Sequence, residues 1–370
     1  MSRESVSYLG PFSQRSGCAE APVERTDDES FSAIPSSRSS CTRRCGIVLA
    51  AGDGLRLRPL VERLRGKALP KQYVSFIGKR SMLEHTFSRA EKLIPTERLF
   101  TVVARAHLRY PEARRQLKSR PKGRVVVQPL NRDTLPGLLL PLLQLRRFYP
   151  DSVVAVFPSD HYILEEDRFM RFVSLAFDGV ERHPDRVALL GIEPLEPEPD
   201  YGYVLPEEEL RPDVWTETAR VLRFVEKPDA KSAEQLIHQG ALWNTSVLIF
   251  QTAAFLALVE RKLPGILGGF LRIEEALGTP EENGVIDEAY RRMMPLNLSR
   301  DLLEILAPGE PSSLSVLAAR GVTWSDWGSE KRIFGAVRPE AVWRQGDRHA
   351  RQAQVESGKE PVARGVSASG

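Results

Sequence analysis

The sequence predicts an α/β fold in which a mostly parallel mixed sheet carries helices on both faces, in a Rossmann-like arrangement. Short apolar and β-branched runs alternate with segments of helical periodicity, and glycine, proline and polar residues separate them. Such alternation is typical of parallel sheets whose crossover helices cover both faces. A chain of 370 residues with 42% hydrophobic residues has room for one large domain of this type, or for two ordinary ones.

The predicted elements follow one another as strand and then helix through the first half of the chain. Apolar runs predict strands at Gly46–Ala50, Leu99–Ala104, Arg124–Gln128, Ser152–Phe157 and Arg186–Gly191. Apolar residues at helical spacing predict helices near Ser81–Leu93, His107–Leu117, Leu135–Arg147 and Glu166–Val180. After Tyr201 the spacing loosens, and we expect a mixed extension of the sheet that supplies a second pocket. Its strands are predicted at Arg220–Glu226, Trp243–Phe250 and Ser313–Val316.

Composition sets the two ends of the chain apart from its middle. Residues 1–44 are rich in Ser, Arg, Glu and Pro with little apolar periodicity, so we interpret them as a disordered N-terminal extension. Residues 338–370 are again polar and charged, and we interpret them as a disordered C-terminal tail. The folded domain is therefore expected at residues 45–337, with no long second domain after Val337.

The overall charge and the cysteines narrow the class of protein. A net charge of +3 gives no basic field of the size that nucleic-acid binding requires, and no run approaches the roughly 20 apolar residues of a membrane span. Cys18, Cys41 and Cys45 lie near the N-terminus without a zinc-binding pattern, and no apolar signal segment is visible there. We therefore expect a cytoplasmic protein without a disulfide framework, whose partners include neither nucleic acid nor a membrane.

A glycine-rich loop after the first predicted strand, within Leu49–Leu60, is the most informative motif. Gly52 and Gly54 permit a sharp turn whose successive N–H groups face one concavity, which suits phosphate binding. Arg56 adds a permanent charge and a forked hydrogen-bond donor to that turn. Because a lone G-x-G also occurs in ordinary turns, the interpretation depends on the arginine and on Pro70-Lys71-Gln72 further along the chain.

Two acidic residues follow apolar runs that are far apart in the chain. Ligands of open α/β sheets bind beyond the carboxyl ends of the strands, where Asp160 and Asp326 are expected and where a magnesium ion could be held. The alternatives are a turn or cap role for Asp160 and an N-cap role for Asp326 at a helix starting near Ser329. Glu226 and Lys227 end another strand, either as a phosphate site or as a solvated pair.

Taken together, these segments resemble the sugar-1-phosphate nucleotidyltransferases, and most of all the mannose-1-phosphate guanylyltransferases. Pro70-Lys71-Gln72 and Ser159–Ile163 are the segments that favour the guanylyl branch. Between about Cys45 and Val337 the matching segments occur in the family's order: Leu49–Leu60, Pro70-Lys71-Gln72, Gln128–Pro136, Phe157–Ile163, Tyr201-Gly202-Tyr203, Phe224–Asp229, Trp243–Ser246 and Trp324–Ser329.

The resemblance implies a fold, a reaction and its substrates. The fold would be that of the nucleotide-diphospho-sugar transferases, which is GT-A-like. The enzyme would form a nucleoside-diphosphate sugar and pyrophosphate from a nucleoside triphosphate and a hexose 1-phosphate, by magnesium-assisted in-line attack on the α-phosphate. GTP and GDP-mannose are the first choice of nucleotide and product.

The resemblance also implies roles for residues at matching positions of this sequence. Arg56 would clamp the β- and γ-phosphates, Lys71 would neutralise the α-phosphate, and Lys227 would hold the sugar phosphate. Asp160 and Asp326 would share Mg²⁺, and Asp160 completes the catalytic set. The implied nucleotide-binding residues are Ala50, Ala51, Gly52, Asp53, Gly54, Leu55, Gln128, Pro129, Asn131, Arg132, Thr134 and Ser159. The implied sugar-phosphate-binding residues are Gly202, Tyr203, Glu226, Lys227 and Asn244.

Some positions depart from the family pattern and keep other functions open. Asp53 and Leu55 replace an uncharged residue and a small hydroxyl residue, and Asp133 stands where Asn is expected. One alternative is a non-catalytic homologue that binds a nucleotide sugar and regulates a partner; another is the same chemistry with a different base or hexose 1-phosphate. A dinucleotide-dependent dehydrogenase is not favoured, because the loop lacks the third glycine and the later acidic residue. A homo-oligomer remains open.

Overall fold

The computed structural model describes residues 43–208, 210, 218–308 and 313–336. The strands are β1 (Arg44–Ala50), β2 (Leu99–Ala104), β3 (Val125–Gln128), β4 (Val153–Pro158), β5 (Tyr162–Ile163), β6 (Val187–Ile192), β7 (Gly202–Pro206), β8 (Thr218–Glu226), β9 (Leu242–Gln251), β10 (Leu314–Ala318) and β11 (Trp324–Ser325). The helices are α1 (Arg58–Arg65), α2 (Met82–Ala90), α3 (Pro111–Leu117), α4 (Thr134–Phe148), α5 (Glu166–Arg182), α6 (Ala230–His238), α7 (Thr252–Lys262), α8 (Pro264–Ala276), α9 (Glu282–Arg292), α10 (Glu304–Leu306) and α11 (Glu330–Ala336).

The main sheet has nine strands in the order β3-β2-β1-β4-β9-β6-β10-β8-β7. Strands β3, β2, β1 and β4 are parallel neighbours, as are β6 and β10. Only β8 and β9 run against the others in this sheet. The predicted mostly parallel mixed sheet is therefore confirmed.

Alternating residues of β1 show that helices cover both faces of the sheet. The Arg44 guanidinium contacts Asp178 and Glu181 of α5, with a distance of 3.0 Å from its Nε to Glu181 Oε1. The next side chain, Cys45, is fully buried in a hydrophobic cluster with the leucines of α4. Because successive side chains of a strand point to opposite faces, α4 and α5 lie on opposite sides of β1.

The second half of the sheet curls so that β7 reaches both β8 and β9. Tyr203 of β7 pairs with Trp243 of β9, and Gly202 pairs with Glu226 of β8. A bulge in β6 precedes Gly191, where an added Cβ would lie 2.7 Å from Leu242 of β9. The pairing of β7 with β9 closes a circuit of paired strands and brings the ends of β7, β8 and β9 together.

Several details differ from the sequence-based expectations. The predicted helix His107–Leu117 is wrong as a single element: a 3₁₀ turn ends at Arg109 and α3 starts at Pro111, because the residue before a proline is driven out of the helical region. The predicted N-terminal boundary is also corrected, since Arg44 belongs to β1. Helices α1 and α6–α10 and strands β5 and β7 were not predicted.

The two predicted terminal extensions lie outside the described residues, except for Arg43 and Arg44. Cys18 and Cys41 lie there too, whereas Cys45 is a free, buried thiol. Burial raises the pKa of the Cys45 thiol to about 12. Among the described helices, none combines the length and the apolar character needed to cross a membrane.

The N-terminus of α2 provides a test of the fold. Ser81 Oγ accepts from the Glu84 amide at 3.1 Å, Glu84 Oε2 accepts from the Ser81 amide at 2.7 Å, and Ser81 Oγ donates to Gln116 at 2.8 Å. We expect Ser81→Ala to lower the free energy of unfolding in urea by about 1–2 kcal/mol, because it removes this capping box and one partner of Gln116. The control Ser75→Ala, whose hydroxyl makes only a 3.4 Å bond, should stay within about 0.5 kcal/mol. Equal effects of the two changes would contradict the assignment.

Candidate active site

The candidate site lies at the carboxyl ends of two parallel neighbours, β1 and β4. Ala50 ends β1 and Pro158 ends β4, so the loop that begins at Ala51 and the segment that begins at Ser159 leave the same edge of the sheet. The Ser159 amide donates to the Leu49 carbonyl at 3.1 Å, which joins the two exits. Two of the predicted site segments therefore meet here.

The Lys71–Tyr73 turn packs against the glycine-rich loop and hydrogen-bonds to its backbone. Gln72 Nε2 donates to the Ala50 and Gly52 carbonyls at 2.9 and 2.8 Å. Gly54 has φ 60°, and an added Cβ would lie 3.2 Å from the Lys71 amide nitrogen. Glycine is therefore required at position 54 both by the backbone and by the contact. Leu55, by contrast, is 61% exposed.

Lys71 is the central cation of the site. Its ammonium lies 3.0 Å from Asp160 Oδ2 and donates to the Asp326 carbonyl at 2.7 Å, although these residues are far apart in the chain. Burial alone would raise the pKa of Asp160, but the charge of Lys71 outweighs it and holds that pKa below its usual value. Asp160 is thus an ionised carboxylate beside a buried lysine.

Asp326 belongs to a tight turn after β11. Its Oδ1 accepts from the Gly328 amide at 2.8 Å, while Ser329 Oγ accepts from the Arg332 amide at 3.3 Å. Ser329 therefore caps α11, and the proposed N-cap role of Asp326 is wrong. The Asp326 side chain is left facing Arg56, 3.8 Å away, and Arg332, 2.9 Å away.

Arg56 reaches the site from the loop but is not alone there. Its Nη1 donates to Asp200 Oδ2 at 2.8 Å, and Arg332 Nη2 donates to the same oxygen at 3.1 Å. Sequence reasoning missed both Asp200 and Arg332, because neither stands in a motif of its own. The only sequence signal was their proximity to the motifs at Tyr201 and Asp326.

A cavity of about 450 Å³ opens beside the glycine-rich loop. The buried Gln128 amide lines it, and its Oε1 has no hydrogen-bond partner. An added Cβ at Gly137 would lie 3.3 Å from that oxygen, so the small residue leaves room beside the amide. A buried amide without a partner suits hydrogen bonding to a ligand. The cavity is lined by Leu49, Ala51, Gly52, Val102, Gln128, Asn131, Asp133, Thr134, Gly137 and Pro295.

Asp53 connects the glycine-rich loop to the far wall of this cavity. Its two carboxylate oxygens lie 3.4 Å from His107 Nε2 and 3.2 Å from Asn131 Nδ2. Burial lowers the pKa of His107, although the neighbouring Asp53 opposes that shift. Asp133, at φ 68°, caps α4 by accepting from the Thr134 amide at 2.7 Å. These polar groups hold the cavity wall in a fixed shape.

Two residues of the predicted nucleotide segment do not face this cavity. The Arg132 guanidinium donates to the carbonyls of Tyr290 and Arg291 at the end of α9, at 2.6 and 3.0 Å. Pro129 is also absent from the lining. These hydrogen bonds hold Arg132 against the end of α9, and its assignment as a direct nucleotide ligand stays a prediction.

The predicted sugar-phosphate residues gather where β7, β8 and β9 meet. An added Cβ at Gly202 would lie 2.7 Å from Glu226 Oε2 and 3.4 Å from Asn244 Cβ, so Gly202 lies directly beside both residues. Burial raises the pKa of Glu226, although the charge of Lys227 opposes this. Lys227 has φ 52° and a half-exposed side chain 3.7 Å from Glu226. A non-glycine residue with a positive φ marks a strained backbone position.

Tyr203 differs from the other predicted sugar residues. It is fully buried, and its hydroxyl accepts from the Glu198 amide at 2.8 Å and from Trp243 Nε1 at 3.1 Å. The ring is part of the core and the hydroxyl already has its partners. Its prediction as a direct sugar contact is therefore corrected to a supporting role for β7 and β9.

The few carboxylates here suit magnesium, which needs few protein ligands, better than a metal that is held wholly by protein side chains. Among the described residues, no group of three or more His, Cys, Asp or Glu is arranged to hold a metal. Magnesium, however, commonly uses one or two carboxylates and takes its other oxygens from water and substrate phosphates. Lys71 contacts the Asp160 carboxylate and the backbone carbonyl of Asp326, so the segments that carry the two predicted ligands meet at this lysine. The Asp326 carboxylate itself faces Arg56 and Arg332.

The protein has an α/β fold with a glycine-rich loop at the carboxyl edge of its sheet. The chain belongs to the nucleotidyl transferase family, whose sequence pattern matches residues 45–337. Its relatives include the xanthan biosynthesis protein XanB of Xanthomonas campestris pv. campestris, 31% identical over 223 residues, which are 60% of this chain and 44% of that protein. A mannose-1-phosphate guanylyltransferase of Klebsiella pneumoniae is 30% identical over 60% of this chain and 45% of that protein. The chain thus spans less than half the length of both relatives.

Solved structures support the same fold. A Thermus thermophilus protein described as a mannose-1-phosphate geranyltransferase superposes with a TM-score of 0.61 at 27% identity and covers 79% of each chain. A Helicobacter pylori protein described as a mannose-6-phosphate isomerase has a TM-score of 0.58 at 20% identity, over 76% of this chain and 99% of that one. The expected nucleotide-diphospho-sugar transferase fold is confirmed.

Removing the Lys71 ammonium should change both the free energy of unfolding and its dependence on pH. The paired Asp160 stabilises the folded state above its ordinary pKa of 3.8 and loses that contribution as the pH falls through its lower folded pKa. We expect Lys71→Met to lower the free energy of unfolding by about 1–3 kcal/mol near neutral pH, a deficit that shrinks below about pH 4.

The matched control is Lys92→Met, which removes a lysine paired with the exposed Asp167 and, at 3.7 Å, with Glu166. It should cost at most about 1 kcal/mol. A deficit of Lys71→Met that stays constant from neutral to acidic pH would contradict the assigned pair.

Proposed function

We propose that this protein is a sugar-1-phosphate nucleotidyltransferase that transfers a nucleotidyl group from a nucleoside triphosphate to a sugar 1-phosphate and releases pyrophosphate. The observation that carries the proposal is the contact of buried Lys71 with both Asp160 and Asp326 beside the glycine-rich loop. Membership of the nucleotidyl transferase family supports it. The cavity of about 450 Å³ beside the loop supplies room for one substrate, and the cluster of Gly202, Glu226 and Asn244 supplies polar groups for a second.

The reaction needs cations and positioning rather than a general base. An oxygen of the sugar phosphate, already an oxyanion, forms a bond to the α-phosphorus, and the bond from that phosphorus to the pyrophosphate oxygen breaks. Lys71 would neutralise the α-phosphate, Arg56 the outer phosphates and Lys227 the incoming sugar phosphate. Holding two anions in line against their repulsion is the main task of such a site.

Asp160 and Asp326 would hold the magnesium ion. When bound, it would supply positive charge to the phosphate oxygens as a Lewis acid. His161 would steady this arrangement, since its Nε2 lies 3.8 Å from Asp160 Oδ1 and Trp324 Nε1 donates to its Nδ1 at 3.3 Å. Burial lowers the pKa of His161, which favours the neutral ring there.

We propose GTP and mannose 1-phosphate as the substrates and GDP-mannose as the product. The relative from Klebsiella pneumoniae carries the name of that activity, and the Thermus thermophilus protein is also described by mannose 1-phosphate. The unpartnered Gln128 amide offers hydrogen bonds for choosing a base. We further propose a cytoplasmic location, with which the free, buried Cys45 is consistent.

The test is a panel of nucleoside triphosphates against several hexose 1-phosphates in the presence of Mg²⁺, with pyrophosphate release as the readout. We expect the highest kcat/KM for GTP with mannose 1-phosphate. Turnover with another pair would keep the reaction class and correct the substrates. Binding of a nucleotide sugar without any pyrophosphate release would favour the non-catalytic regulatory alternative instead.

Asp160→Asn should abolish turnover while the protein stays folded. The amide keeps the shape of the side chain but removes the charge that would hold the metal, and we expect a fall of about 10²-fold or more in kcat. Pyrophosphate release measures the effect and circular dichroism checks the fold. Near-normal activity of this variant in Mg²⁺ would show that Asp160 is not a metal ligand.

Arg56 and Lys227 should act on different substrates. We expect each alanine substitution to cost about 2–4 kcal/mol of transition-state stabilisation, because each leaves a substrate anion uncompensated. In a two-substrate kinetic matrix, Arg56→Ala should act through the nucleotide and Lys227→Ala through the sugar phosphate. Lys231→Ala, at an exposed position of α6, is the control. If Lys227→Ala matches that control within about twofold, Lys227 is a solvated lysine and the assigned acceptor site is wrong.

A further inference from the structure

Four charged side chains form a closed ring beside the glycine-rich loop. Arg56 Nη1 lies 2.8 Å from Asp200 Oδ2, and the same oxygen lies 3.1 Å from Arg332 Nη2. Arg332 Nε lies 2.9 Å from Asp326 Oδ1, and Asp326 Oδ2 lies 3.8 Å from Arg56 Nη2. Positive and negative charges alternate around this charge ring, so each group has opposite charges as its neighbours.

Gly328 fits inside the ring. An added Cβ at this position would lie 2.5 Å from Arg332 Nη2, 2.5 Å from Asp326 Oδ2 and 3.0 Å from Arg56 Nη2. The backbone there does not adopt a positive φ, so a side chain at 328 would be excluded by these three groups and not by backbone strain. A side chain at 328 would therefore have to displace the ends of these three ring members.

The ring has one rigid side and one exposed side. The Arg332 side chain is only 12% exposed, since it also lies 2.9 Å from Glu198 Oε2 and 5.0 Å from the centre of the Tyr201 ring. The Arg56 side chain is 55% exposed and contacts the ring through Asp200 and, more distantly, Asp326. A long exposed arginine has many conformations, and the pairing with Asp200 reduces them.

We propose that Asp200 and Arg332 are positioning residues that hold Arg56 ready for the outer phosphates of the nucleotide. Arg332 is fixed by its buried surroundings and orients the Asp200 carboxylate, and that carboxylate orients the Arg56 guanidinium. Arg332 also orients Asp326, so the ring couples the phosphate-binding arginine to a proposed metal ligand. This inference rests on the proposed function, because it takes Arg56 as a phosphate ligand.

Binding of GTP with Mg²⁺ to the whole chain, measured by calorimetry without sugar phosphate, tests the proposal. Asp200→Asn keeps the size of the side chain but removes its charge, and we expect it to weaken GTP binding by about 3- to 10-fold. Gly328→Ala should weaken binding in the same direction, because its Cβ displaces the ring. In the Arg56→Ala background, Asp200→Asn should change the Kd less than about twofold, because the arginine it positions is gone.

Glu330→Gln is the matched control. Glu330 is as exposed as Asp200 and pairs with Arg63, so this variant removes an exposed ion pair on α11 without touching the ring. It should leave the Kd for GTP within about twofold, since exposed ion pairs contribute little. The KM for the sugar phosphate should stay unchanged in Asp200→Asn, which separates positioning of Arg56 from a general loss of structure.

Each other outcome overturns the proposal in a defined way. Tighter GTP binding by Asp200→Asn would show that the carboxylate competes with the phosphates, and equal effects of Asp200→Asn with and without Arg56 would show that the two residues act independently. An unchanged Kd in Asp200→Asn would overturn the role of the ring and leave the proposed function standing. Failure of the unaltered protein to bind GTP, UTP, ATP or CTP would overturn both.

Discussion

The contact of buried Lys71 with Asp160 and Asp326 is the interaction on which the site depends. An ammonium that is withdrawn from water requires charged or polar partners, and here they come from the ends of β4 and β11. Gly54 packs directly on Lys71, so the glycine-rich loop is fixed by the same residue. Three distant parts of the chain must therefore meet before this lysine can be buried without a large cost.

Backbone strain is concentrated around the same region. In the described part of the chain, four non-glycine residues have positive φ: Asp133, Lys227, Ser246 and Trp327. Asp133 lines the cavity, Lys227 follows the last residue of β8, and Trp327 follows Asp326 and stacks on Tyr162 with ring centres 4.6 Å apart. Such conformations persist only where the surrounding structure holds them, which is typical of binding and catalytic sites.

The surroundings of Asp53 change how this unusual residue is interpreted. An acid at position 53 next to bound phosphates would repel them, which favoured a non-catalytic interpretation. In the structure, Asp53 lies against His107 and Asn131 and joins the loop to the cavity wall. Its charge is therefore partly satisfied by hydrogen-bond partners, and the residue has a structural reason to be present.

The sequence by itself determined the parallel half of the sheet, the phosphate-suited loop and the positions of Lys71 and Asp160. These features have local signals, because apolar periodicity reports burial and glycine reports a turn. Only the tertiary structure decided that β9 lies between β4 and β6, that Tyr203 is buried in the core, and that Asp200 and Arg332 join Arg56. Strand order and ion pairs between residues 144 and 132 positions apart leave no local pattern, since they arise when distant segments pack together.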